Sequence, residues 1–236
     1  MSGLSRAYKR RPKGLPLSIP GLQLWLDASD ASTLFTDSAG TTPATADGDP
    51  VGRWADKSGN NRHATQADGT KKPTVVSNAK NLLSCLNFDA VNDWLSYSSA
   101  SSVTFQHFFA VYYINQSNDY NNLWRTFTTN ELCIRRYTNQ TYWGHQNYAD
   151  FALQATFKIN GVATAIQNDG TWGVMSCYSA SPISSSTTLG TYDVSRSLGD
   201  RIWNGKIAEI AVYSSQLTSN QINSVCNYLN SKWGVY

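Results

Sequence analysis

The sequence predicts an all-β fold, two antiparallel sheets packed as a sandwich, with a short C-terminal helix and an extended N-terminal arm. Three observations lead there. The stretch Gly205 to Tyr213 alternates apolar positions and is followed, after Leu217, by an amphipathic segment ending at Trp233. The chain carries 13 Tyr, 8 Phe and 8 Trp against 2 Met, a composition that favours strands joined by polar turns. Short strand-like runs recur between turn-rich segments along the chain, the spacing typical of sandwiches. With 236 residues, 41% of them hydrophobic, the chain is long enough to bury one sizeable core.

Residues 1 to 20 form a separate unit. They hold Arg6, Lys9, Arg10, Arg11 and Lys13 with no acid, and Pro12, Pro16 and Pro20 at regular spacing, which disfavours helix and encourages extended chain. The rest, 21 to 236, reads as one domain with 14 basic and 16 acidic side chains. That near-neutral balance gives no globally basic groove for nucleic acid. No apolar run reaches the length of a membrane span, and the basic start lacks an apolar signal region.

Leu22, Leu24 and Leu26 alternate with Gln23, Trp25 and Asp27 as a half-buried first strand. Trp54 to Ala64 packs Asp56, Ser58, Gly59 and Asn60 into a polar turn, and Leu86 to Leu95 repeats strand, acidic turn and strand. Phe108 to Ile114 is a continuous apolar run suited to a central strand. Further strands are expected near 123–127, 132–137, 151–158, 172–179, 187–192 and 206–213, with Ser179 to Ser186 as an exposed loop. Thr218 and Gln221 have capping-box spacing, and Leu217 and Ile222 sit as a hydrophobic staple. Ile222, Val225, Cys226, Leu229 and Trp233 then form one apolar helix face.

Four motifs in this order carry a resemblance: Pro20-Gly21-Leu22 with Leu24 to Ala28; Trp54-x-Asp56-x-Ser58-Gly59-Asn60 with His63-Ala64; Phe88-Asp89 with Asn92-Asp93-x-Leu95; and the closing Gly205 to Thr218 block. Over residues 20 to 236 the chain resembles the laminin-G-like branch of the concanavalin A-like jelly rolls, in the form common among bacteriophage structural proteins. The resemblance implies a two-sheet jelly roll with end loops free for recognition. That fold hosts glycan binders, hydrolases and architectural parts alike, so the site has to decide.

Hydrolases on related jelly rolls need two carboxylates flanking the scissile bond. Glu131 and Glu209 are the only glutamates and lie far apart, and Glu209 is expected to point outward into solvent. Nucleophile-elbow, zincin and phosphate-loop motifs are absent, so the chain is read as no enzyme. His63 is assigned to its turn and His107 to a packed or rim position. Asp56, Asn60, Asp89, Asn92 and Asp93 offer hard oxygens for calcium, although the same residues close turns on their own backbone; no other cofactor is implied. Trp124, Asn139, Tyr142, Trp143 and Tyr148 have the make-up of a glycan platform, or of strands at a core or protein contact. Cys85, Cys133, Cys177 and Cys226 are too far apart for a local metal knuckle and read as core thiols, with three pairings open in an oxidising medium.

With the resemblance, these readings lead to a phage virion structural protein, on capsid, fibre or tail, assembled in the host cytoplasm. Arg6, Lys9, Arg10, Arg11 and Lys13 would dock on a major capsid or tail protein, and a homo-oligomer is expected. The alternative is an adhesin binding host-surface polysaccharide. Five basic charges make only weak, salt-dependent nucleic-acid binding.

Overall fold

The computed structural model describes residues 15–97, 103–115, 122–126, 133–136, 143–144, 156–163, 168–185, 187–190 and 202–236. The basic residues of the arm, from Arg6 to Lys13, lie outside them. Two antiparallel sheets face each other. One has seven strands, in the order β12 (Thr156–Ile159), β13 (Thr171–Ser185), β8 (Val103–Ile114), β15 (Asn204–Tyr213), β6 (Leu83–Asp89) and β5 (Thr74–Lys80), with β1 (Leu22–Asp27) also on β15. The other has eight: β11 (Trp143–Gly144), β10 (Cys133–Arg136), β9 (Asn122–Thr126), β14 (Thr187–Leu189), β7 (Leu95–Ser96), β4 (Ala64–Thr65), β3 (Arg53–Trp54) and β2 (Leu34–Phe35).

Strand β15 organises the first sheet. One of its edges is bonded along its length by β8, while the other is shared, Asn204–Ile207 by β6 and Glu209–Tyr213 by β1. The handover falls at Ala208, whose carbonyl accepts from Ala28 N–H at 3.0 Å, and there the register with β8 shifts between Ile207 and Glu209. A bulge of this kind re-aims side chains. Ile207, Ile210 and Val212 point into the core between the sheets, whereas Ala208, Ala211 and Tyr213 join a second core on the outer face. Gly205 opens the strand where any Cβ would collide with the Tyr113 carbonyl.

The second core is closed by α2 (Ser219–Trp233), which lays Val225, Cys226, Leu229 and Trp233 on the outer face of the seven-stranded sheet. The capping box forms as expected: Gln221 N–H donates to Thr218 Oγ1 at 3.3 Å, and Gln221 Oε1 accepts from Thr218 N–H at 2.9 Å. Leu217 and Ile222 both pack in this core. Gly234 ends the helix in left-handed conformation, φ 62°, its N–H bonded to the Asn230 carbonyl.

Several expectations are corrected. Residues 15 to 20, read as extended arm, begin with a helical turn, α1 (Leu15–Ser18). Leu15 and the buried Ile19 pack in the outer core, and the Pro16 carbonyl accepts from Tyr213 Oη at 3.2 Å. Prolines near the start of a helical turn lose no bond, and apolar burial outweighs the preference for extension. The first strand is buried on both faces at its end, with Trp25 and Asp27 each 4% exposed, because α2 covers the side expected to be wet. Leu22 packs in the outer core rather than with Leu24 and Leu26, since the register with β15 shifts between Leu22 and Leu24. The serine-rich stretch is strand as far as Ser185: β13 bulges between Tyr178 and Ile183, then resumes pairing with Phe105, Thr104 and Val103. Ser181, Pro182 and Ser184 are exposed there, so serines mark a wet strand face. No helix among the described residues is long and apolar enough to cross a membrane.

Candidate functional site

The polar constellations fall in four places. The first is the turn after β3. Asp56 Oδ1 accepts from Trp25 N–H at 2.9 Å and Ser58 N–H at 2.8 Å, and Oδ2 from Ser58 Oγ at 2.7 Å and Arg62 N–H at 3.0 Å. Asn60 Nδ2 donates to the carbonyls of Leu22 and Gln23, Arg62 Nη1 donates to Gln23, and Lys57 N–H to the Trp25 carbonyl. The turn thus covers the edge of β1 that β15 leaves unpaired, satisfying backbone groups that would otherwise be open. His63 belongs to the same device: its Nδ1 accepts from Asp56 N–H at 3.0 Å, and burial together with nearby Arg53 lowers its pKa.

The second is the turn between β6 and β7. Asp89 Oδ1 accepts from Val91 and Asn92 N–H, and Asp93 Oδ2 from Asp89 N–H at 2.9 Å. Asp93 is buried, and burial plus the Asp89 charge push its pKa up to about 7. The five residues considered for calcium therefore divide between two turns, each built from backbone-bonded carboxylates. Among the described residues no group of three or more His, Cys, Asp or Glu is placed to hold a metal.

The third lies beneath α2, where the sequence reading expected solvent. Glu209 is fully buried. Its Oε1 accepts from Trp25 Nε1 at 2.8 Å and Tyr228 Oη at 3.2 Å, and its Oε2 from Lys232 Nζ and Trp233 Nε1, both at 2.7 Å. Asp27 lies directly across the ladder from Glu209. Its Oδ1 takes Lys232 Nζ at 2.6 Å and the Ser29 hydroxyl at 2.6 Å, and its Oδ2 takes Lys57 Nζ at 3.0 Å. Lys57 also reaches Asp30 at 2.7 Å. Burial and the Asp27 charge raise the Glu209 pKa; burial works against the ionised form of Asp27 too, but Lys232 and Lys57 hold it below the usual carboxylate range. The cluster escaped sequence reasoning, although one signal was present: Val225, Leu229 and Lys232 recur at helical spacing, which sets a lysine on the buried stripe.

The fourth is a Ser–His pair. His107 Nε2 lies 3.1 Å from Ser176 Oγ, and His107 Nδ1 accepts from Leu217 N–H at 3.5 Å. An Nδ1 that accepts leaves the proton of the neutral ring on Nε2, so His107 donates to the serine. It therefore has no lone pair with which to activate Ser176 as a nucleophile. Burial drives the His107 pKa down to about 3.

Of the proposed glycan platform, Trp124 is fully buried, its ring 5.7 Å from Tyr97 and 5.2 Å from Phe108. It is a core residue and offers no face to a sugar, because a continuous apolar strand such as β8 needs aromatic cover from the opposite sheet. Trp143 pairs through its backbone with Arg136, and Asn139, Tyr142 and Tyr148 lie outside the described residues. Cys85, Cys177 and Cys226 are buried free thiols, and burial pushes Cys85 up to about 12 and Cys226 to about 11.

No protein-family model and no curated protein sequence matches the chain. Among solved structures it is similar to a Trypanosoma rangeli sialidase in complex with the inhibitor DANA, at 14% identity and a TM-score of 0.43, over 78% of this chain and 31% of that one. The chain spans about a third of that protein's length.

Proposed function

We propose that the chain is a virion structural protein of a bacteriophage. In this reading it is a non-enzymatic laminin-G-like jelly roll, anchored through its N-terminal arm to a capsid or tail protein and displaying the sandwich outward. The observation that carries this reading is the root of the arm. Leu15, Pro16 and Ile19 are tied to β15 and α2, so the chain that follows the basic segment Arg6 to Lys13 is anchored in the outer core. Arginine and lysine suit an acidic docking surface, and proline lowers the entropy lost on docking. Support also comes from the fate of the polar motifs: Asp56, Asp89 and His107, the residues with the look of chemistry, are engaged in backbone bonds that build the fold.

The test is to purify particles carrying the full chain and particles encoding a deletion of residues 1 to 14, then compare incorporation by mass spectrometry and locate the domain by cryo-electron microscopy. Loss of the protein from deleted particles, with the isolated domain still folded, is the expected result. Full incorporation without the arm overturns the reading. Free protein that instead gives glycan-array signal abolished by Trp143→Ala would replace it with the adhesin.

A further inference from the structure

The geometry points to an intramolecular amide bond between Lys232 Nζ and Asp27 Cγ, formed after folding, with Glu209 as the proton-transfer group. Three features under α2 lead to it. Lys232 Nζ touches Asp27 Oδ1 at 2.6 Å and Glu209 Oε2 at 2.7 Å, with the lysine and aspartate side chains only 7% and 6% exposed. The Asp27 oxygens are held differently: Oδ1 by Ser29 and Lys232, Oδ2 by Lys57 at 3.0 Å. Glu209 is locked in place by three neutral donors, Trp25, Tyr228 and Trp233.

The step balances without any co-reactant. The Lys232 ammonium passes a proton to Asp27 Oδ1, its nearest oxygen. The freed amine lone pair attacks Cγ, and negative charge develops on Oδ2, where the Lys57 ammonium stands as electrostatic support. Glu209 takes the second amine proton and returns it to Oδ1, the Cγ–Oδ1 bond breaks, and water leaves. One ammonium and one carboxylate become one amide and one water, and Glu209 ends as it began.

Condensation of this kind is unfavourable between free molecules in water, but groups held in contact reach effective molarities of about 10⁵–10⁸ M. The product also exchanges two buried charges, each costing several kcal/mol to desolvate, for a neutral amide. Burial raises the Glu209 pKa, which makes its carboxylate a stronger acceptor for the amine proton. The bond would tie the first strand to the last helix, closing nearly the whole domain into one loop. Nothing in this depends on the virion assignment.

The decisive experiment is the intact mass of the full-length wild-type protein under denaturing conditions, followed by tryptic mapping. The expected result is a mass lower by one water, with a branched peptide joining the Asp27 and Lys232 segments. An Asp27→Asn variant would lose one ammonia instead, from the same branched peptide. A full sequence mass with both peptides linear overturns the proposal and leaves a buried ion network. A water loss that maps to a succinimide at Asp47-Gly48, Asp68-Gly69 or Asp169-Gly170 overturns it as well. Folded Glu209→Gln protein is expected to keep its full mass; the same dehydration in that variant removes Glu209 from the mechanism.

Discussion

Towards the second sheet, β15 presents Ile207, Ile210 and Val212 to an apolar interior; towards α2 the same strand presents Ala208, Glu209 and Tyr213, and both sets are buried. The inner face is held by packing alone, which tolerates exchange among side chains of similar volume. The outer face is held by packing around a polar centre in which every oxygen of Glu209 and Asp27 has a donor. Such a centre fixes where the helix lies, because sliding α2 by one turn would take Lys232 away from both carboxylates and Tyr228 and Trp233 away from Glu209. The difference shows that one strand can specify a core on one side and a docking position on the other.

The sharpest way to break this comparison is to remove the polar centre. Glu209→Ala removes the buried acceptor shared by Trp25, Tyr228 and Trp233 and one of the two carboxylates that hold Lys232, and is expected to cost about 3–5 kcal/mol. Ile207→Val, two positions away on the inner face, is expected to cost only about 0.5–1.5 kcal/mol. Urea denaturation of both variants checks the pair, and equal costs would mean that the outer face is held by packing like the inner one.

A second, smaller effect separates the outer face from the turn that joins the sheets. Histidine ordinarily titrates near 6.5 but His107 in the folded protein near 3, so between those values the unfolded chain binds the extra proton and stability falls as pH falls. Asp93 is the reverse, about 7 folded against an ordinary 3.8, so the folded state holds the extra proton and stability falls as pH rises. Each slope is about 1.4 kcal/mol per pH unit at most. They oppose each other between roughly pH 4 and 6.5, where these two groups together leave stability nearly flat. Asp93→Asn removes one of them, and the variant is expected to lose stability on going from pH 6 to pH 5 by about 1 kcal/mol more than wild type. Denaturation midpoints at the two pH values decide it, and an unchanged difference would show that the Asp93 carboxyl is not held protonated in the turn between β6 and β7.

The two faces also explain what could be read from the sequence. The capping box at Thr218 and Gln221 was legible because its signal spans four residues and depends on nothing else in the fold. The strand near 206–213 was legible because apolar alternation reports local burial. Alternation alone, however, treats the second face of a strand as solvent. Glu209 and Asp27 were therefore misplaced, since what covers them arrives from the far end of the chain. Leu22 failed for a different reason: one bulge inverts the side on which a residue emerges, and bulges have no reliable sequence signature. Trp124 shows the limit for the candidate site, because an aromatic beside polar residues has the same composition in a glycan platform and at a core margin.

The last effect expected is no effect at all, and it bears on the motif that looks most like a ligand site. Calcium needs carboxylate and carbonyl lone pairs free to converge on it. Asp56 spends both oxygens on Trp25, Ser58 and Arg62, and the Gln23 carbonyl accepts from Asn60 and Arg62. A cation entering there would have to displace the bonds that seal the edge of β1, the strand on which Asp27 and Trp25 depend for their place under α2. Millimolar calcium is therefore expected to leave the melting temperature where a chelator leaves it, while Asp56→Ala lowers it in both. A calcium-dependent rise that disappears in Asp56→Ala would make the edge turn a metal site and give the outer face a control that the inner face lacks.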